Sequence, residues 1–130
     1  MAEEKIKVFV VDAVEVWRKI LAKHINDSTD MEVVAEINSA QGAILMLEET
    51  KPDVVLLGAS FNDRVHVNSI IENLRKIDAE VKIILCLDTL TKSEISQSLD
   101  HGINDFISKP YQKLTVQRSI RDCISGHTSK

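Results

Sequence analysis

Residues Lys51–Ser60 read KPDVVLLGAS, and this stretch decides the fold. Pro52 and Asp53 punctuate the chain, and Val54, Val55, Leu56 and Leu57 then run apolar without a break. A short apolar run bounded by turn residues and rich in β-branched side chains reads as a strand buried on both faces. Such a strand belongs in the middle of a parallel sheet, and this one is expected to stop at Gly58, where the chain leaves the sheet edge. In open α/β sheets, binding chemistry collects at the carboxyl ends of the strands. Gly58 is therefore the position from which function is read.

Similar runs flank this strand. Lys5–Val11 predicts a first strand ending at Asp12, and Trp17, Ile20, Leu21, His24 and Ile25 then repeat with helical spacing up to about Asn26. After a turn at Asp27–Asp30, Glu32–Ile37 predicts a second strand, and Ser39 can cap a helix that turns Ala40, Ala43, Ile44 and Leu47 inward. Ala59–His66 reads as a polar loop, followed by a helical stripe of Val67, Ile70, Ile71, Leu74 and Ile77. Lys82–Leu87 is a further buried strand. Thr91 and Glu94 form a capping box for a helix that runs through Ile95 and Leu99 to Gly102, a residue suited to the left-handed region. Asp105–Ser108 is a short fifth strand, Pro110 breaks the chain, and a last helix from near Gln112 to Gly126 turns Val116, Ile120, Cys123 and Ile124 inward. Strands and helices that alternate five times with short connections predict an α/β fold: a parallel sheet with helices on both faces.

A chain of 130 residues with 44% hydrophobic content has enough apolar surface for one domain. It is expected over residues 1–126, with 127–130 as a frayed tail. The formal charge of −4 gives no electrostatic case for nucleic acid or an anionic membrane. The start, MAEEKIKV, lacks the apolar core of a signal peptide, no apolar run is long enough to span a membrane, and a cytoplasmic location is expected. Cys86 and Cys123 form no CxxC pair and read as reduced core cysteines.

Strand carboxyl ends share one edge, so Asp12, Gly58, Leu87 and Lys109 come together. On VFVVD with its following RKIL, on KPDVVLL, and on the turn HGINDFISKP, the chain resembles the receiver domains of two-component response regulators. The resemblance covers nearly the whole chain. Gly102, Asp105, Phe106, Lys109 and Pro110 fit its most specific part. It implies a doubly wound, flavodoxin-like (βα)5 domain with strand order 2-1-3-4-5. It also implies a phosphoryl-accepting aspartate ending the third strand, two acidic residues holding Mg²⁺ at the end of the first, a Ser or Thr ending the fourth, and a Lys ending the fifth. The cation and the lysine would neutralise the transferring oxygens against the attacking carboxylate.

This sequence departs from that pattern at the chemistry. Asp12 keeps the first acidic position, but the second is Ala13, the acceptor position is Gly58, and the hydroxyl position is Leu87. Asn62 and His66 stand where the family's Pro and Gly would be. Glycine offers no nucleophile, and a lone carboxylate makes a poor Mg²⁺ site because hard cations take several oxygens. No cofactor is expected, and Asp12 remains only a weak metal candidate. Asp12 and Lys109 are expected to pair directly, since an unpaired buried charge is costly. Phe106, in the position of a switch aromatic, has no hydroxyl and is expected to bury fully beside Leu87, held in one rotamer.

The other titratable residues read more plainly. His24 is a boundary histidine; His66, His101 and His127 are solvated; and Trp17 is at least half-buried. Lys113, Arg118 and Arg121 form a solvated face, with a possible pairing role toward Glu94 or Asp100 in a dimer. These readings favour a stand-alone, non-enzymatic, receiver-like pseudo-receiver that acts through a protein partner without phosphorylation. No output domain is expected. Its candidate partners are a sensor kinase, a chemotaxis-type target or another receiver, or a second copy meeting it through the helix after the fourth strand, the fifth strand and the last helix. The alternatives are a phospho-receiver with an unusual acceptor such as Asp63 or Asp88, and a receiver whose vestigial pocket takes a small ligand. A flavodoxin-like cofactor binder is disfavoured, because the loop DAVEVW lacks the Ser, Thr or Gly that would hold a phosphate.

Overall fold

The apolar run Val54–Leu57 lies at the centre of the sheet with at most 1% exposure. The computed structural model describes residues 4–59, 64–87 and 102–126. Within them the elements run β1 (Ile6–Val11), α1 (Glu15–Asn26), β2 (Met31–Ile37), α2 (Ala40–Thr50), β3 (Val54–Ala59), α3 (Arg64–Ile77), β4 (Lys82–Leu87), β5 (Asp105–Ser108) and α4 (Lys113–Ser125). The five strands form one sheet in the order β2-β1-β3-β4-β5, and every pairing is parallel. This is the flavodoxin-like α/β architecture that the alternation predicts.

Side chains along a strand point alternately to the two faces, and each face has its own core. Val8, Val10, Val54, Leu56, Ile84 and Cys86 pack with α1 and α4 through Leu21, Ile25, Val116, Ile120 and Cys123. Phe9, Val11, Val55, Leu57, Ile83 and Leu85 pack with α2 and α3 through Ala43, Leu47, Val67, Ile71 and Leu74. A sheet covered on both sides needs strands that are apolar at every position, which is why KPDVVLL and KIILCL show no polar alternation.

The helix ends follow local chemistry. Ser39 Oγ accepts the Gly42 N–H at 3.0 Å and caps α2. Lys51 closes that helix in the left-handed region at φ 47°. Gly102 has φ 97°, as expected of it; the helix it was expected to end, with Thr91 and Glu94, lies outside the described residues, as do Asn62, Asp63, Asp88, Asp100, His101 and His127. Arg75 ties the end of α3 to the approach to β5: its guanidinium donates to the Gly102, Ala79 and Val81 carbonyls and, at 2.7 Å, to Asn104 Oδ1. Asn104 Oδ1 also accepts the Ile83 N–H at 2.8 Å, which fixes the entry to β4.

Boundaries and burial differ from the sequence reading in places. β3 does not stop at Gly58 but continues through Ala59, with Gly58 opposite Cys86 and Ala59 opposite Leu87. A glycine leaves the backbone ladder intact, so losing a side chain does not end the strand. α3 begins at Arg64, inside the stretch to His66 that reads as a polar loop, because helical hydrogen bonds extend beyond the buried stripe. Ile77 and Ile124, expected inward, are 36% and 42% exposed. Both stand in the last turn of their helix, where the apolar stripe outruns the sheet.

Candidate functional site

The site is built by four strand ends. β1 delivers Asp12 and β3 delivers Gly58 beside it, because Val11 is paired with Leu57. β4 ends at Leu87 and β5 at Ser108, opposite one another. The Lys109 N–H then donates to the Leu87 carbonyl at 2.9 Å, so Lys109 emerges at the same edge. The sheet thus brings together Asp12, Ala13, Gly58, Leu87 and Lys109, residues far apart in sequence.

Asp12 is only 6% exposed. Its Oδ1 accepts the Val14 N–H at 2.9 Å, and its own N–H donates to the Ile37 carbonyl at 3.0 Å. Arg18 donates to the Asp12 carbonyl at 2.9 Å. That guanidinium also lies 3.7 Å from Glu36, which Lys19 approaches to 3.1 Å. The other carboxylate oxygen is turned toward Gly58. A Cβ built on Gly58 would lie 2.5 Å from Asp12 Oδ2, 2.7 Å from Cγ and 3.1 Å from Cβ. The Asp12 carboxylate occupies the space in which a side chain at position 58 would begin.

Lys109 is half-buried, and its Nζ stands 4.6 Å from the centroid of the Trp17 ring. Trp17 is held in turn by an edge-on contact with Tyr111 at 5.5 Å. A cation over an indole face is attracted by the ring quadrupole, and this seat, not the direct pairing with Asp12 expected from the sequence, is where the structure places the Lys109 ammonium. The charges of Asp12 and Lys109 reach the same neighbour: burial pushes the Cys86 thiol well above its ordinary range, Asp12 pushes it further, and Lys109 opposes. Asp12, Gly58 and Lys109 also line one cavity of about 580 Å³.

Leu87 ends β4 at 5% exposure and presents no polar atom. Phe106 is half-buried, not fully buried as its missing hydroxyl led us to expect, and it packs against the cluster that contains Leu87. β5 is the edge strand of the sheet and has only β4 beside it, which leaves the ring at the border of that cluster. Among the described residues, no group of three His, Cys, Asp or Glu side chains is placed to hold a metal ion.

Away from the edge, His24 is half-buried, with Nε2 2.9 Å from the Tyr111 carbonyl, the boundary histidine that its helical position suggests. Lys113, Arg118 and Arg121 are exposed, as the solvated face read from the sequence requires, and two of them are also tied within the chain. Lys113 pairs with Asp27 at 2.8 Å, and Arg121 pairs with Asp30 at 2.7 Å. Asp27 and Asp30 both lie in the turn after α1, so α4 is clamped to α1 by charge as well as by packing. Sequence reading missed the role of Arg18 and the seat of Lys109 on Trp17. Glu15 and Arg18, three apart at the start of α1, were the only local sign of the first.

Comparison with known proteins bears on this edge. Residues 8–121 match the family model described as the response regulator receiver domain. The response regulator protein VraR of Staphylococcus epidermidis is 27% identical over 123 residues, covering 95% of this chain and 58% of that protein. VraR of Staphylococcus saprophyticus is 28% identical over 116 residues, covering 89% of this chain and 55% of that protein. The chain thus spans a little over half the length of these relatives. The signal receiver domain of the response regulator NarL from Mycobacterium tuberculosis superposes with a TM-score of 0.84 at 20% identity, over 96% of this chain and 100% of that one. The isolated receiver domain of RcsB from Salmonella enterica, determined with phosphomimetic BeF3⁻, superposes with a TM-score of 0.85 at 15% identity, over 97% and 93%.

Proposed function

The chain belongs to the response regulator receiver domain family of two-component systems, and from that membership we propose that it is a pseudo-receiver, one that signals without phosphorylation by binding another protein. One observation carries this reading. The Asp12 carboxylate fills the space at Gly58 where the acceptor side chain of a phosphorylated receiver would start. The position has neither a nucleophile nor room for one while Asp12 stays where it is.

The remaining chemistry points the same way. Among the described residues the donor set does not suit a divalent cation: one carboxylate, with Ala13 beside it and one oxygen already accepting a backbone N–H, is far from the several oxygens a hard cation takes. Leu87 supplies no hydroxyl for a transferred phosphoryl oxygen. In place of a switch, the Asp12 carboxylate rests against Gly58 with one oxygen held by the Val14 N–H, and Lys109 seats its ammonium on Trp17. Phe106 is then kept in a single rotamer. The face of β5 and α4 that carries it, with Leu114 70% exposed, is the surface offered to a sensor kinase, a chemotaxis-type target, another receiver or a second copy of this chain.

No helix of the described residues is long and apolar enough to cross a membrane, and we place the domain in the cytoplasm. A longer RcsB chain, of which this chain covers 64%, is described for its DNA interaction. We assign no nucleic-acid contact to the mildly acidic span here. The test is thermal unfolding with Mg²⁺ alone and with Mg²⁺ plus beryllofluoride, run beside a receiver that accepts phosphate. Neither addition is expected to move the transition of this chain. A saturable rise with beryllofluoride would overturn the proposal.

A further inference from the structure

We draw no further inference here: the strongest candidate, the surface of α1 and α2 beside the edge strand β2, where the side chains of Val16 and Leu45 are exposed, carries none because nothing in the structure shows what covers it.

Discussion

Asp12 and Gly58 share one small volume: a methyl group on Gly58 would come within 2.5 Å of Asp12 Oδ2. The carboxylate rests against a bare backbone, and its other oxygen is pinned by the Val14 N–H. Gly58→Ala therefore forces Asp12 to rotate and weakens that hydrogen bond. The expected cost is about 1–3 kcal/mol, the usual range for overpacking a filled site. In Asp12→Ala the space is open, so the same change at position 58 is expected to cost much less. Urea unfolding of the two single variants and the double variant measures the coupling. Strict additivity would mean that the two side chains do not compete.

Restoring a carboxylate gives a sharper contrast. Gly58→Asp adds a like charge beside a carboxylate that is only 6% exposed. The repulsion is expected to exceed the cost of the alanine variant by an amount on the order of 1–4 kcal/mol. Two carboxylates make a better site for a hard cation than one. Millimolar Mg²⁺ is therefore expected to recover stability in Gly58→Asp and to leave the parent chain unchanged, as denaturant titrations in Mg²⁺ and in chelator will report.

Trp17 is the only tryptophan in the chain and carries the Lys109 ammonium on its face. Lys109→Met is expected to shift Trp17 fluorescence and to lower stability by about 0.5–2 kcal/mol. A cycle with Asp12→Asn is expected to show little coupling, because the ammonium rests on Trp17 and not on the Asp12 carboxylate. Unchanged emission in Lys109→Met would show that the ammonium does not sit on the indole.

The clamp between α4 and the turn after α1 depends on acid. The Arg121 guanidinium, and after it the Ser28 hydroxyl, hold the Asp30 carboxyl well below the usual carboxylate range. Lys113 and then Lys23 lower Asp27 in the same sense. A depressed carboxyl contributes stability that is present above its unfolded pKa of about 4 and is lost as the pH falls through the lower folded value. Arg121 and Asp30 are 44% and 46% exposed, so solvent screens the pair. Arg121→Ala is expected to cost about 0.2–1 kcal/mol at pH 7, with the difference shrinking below about pH 4. Urea midpoints of both proteins from pH 7 downward will show it.

Burial raises both thiols, Cys123 to about 12 and Cys86 further. A raised thiol contributes stability below its unfolded pKa of about 8.5, and this is lost as the pH rises toward the folded value. Stability is therefore expected to decline in alkali. A disulfide reagent at pH 8 is expected to find neither cysteine in the folded chain and both in urea. Rapid reaction in the folded state would contradict their burial.

Much of this was legible in the residues. The apolar runs Val54–Leu57 and Lys82–Leu87 gave the central strands, because a strand covered on both faces leaves no room for polar alternation. Gly58, Leu87, Asp12 and Lys109 were legible as one cluster, because parallel strands end on a common edge. The direction of the Asp12 carboxylate was not, since it depends on the Val14 N–H and on space left by a residue 46 positions away in sequence. The half-burial of Phe106 was hidden for a similar reason: strand composition does not show how much cover an edge strand receives. The in-chain pairing of Lys113 and Arg121 depends on where α4 lies against Asp27 and Asp30, and helical spacing alone does not encode that.

The most direct measurement is covalent labelling by radioactive acetyl phosphate with Mg²⁺, quantified by intact mass on the parent chain. No acid-stable, alkali-labile phosphoryl adduct is expected, with or without Mg²⁺. Stoichiometric, Mg²⁺-dependent formation of an aspartyl phosphate at any residue would make this chain a working phosphorylation switch and contradict the reading given for Asp12 and Gly58.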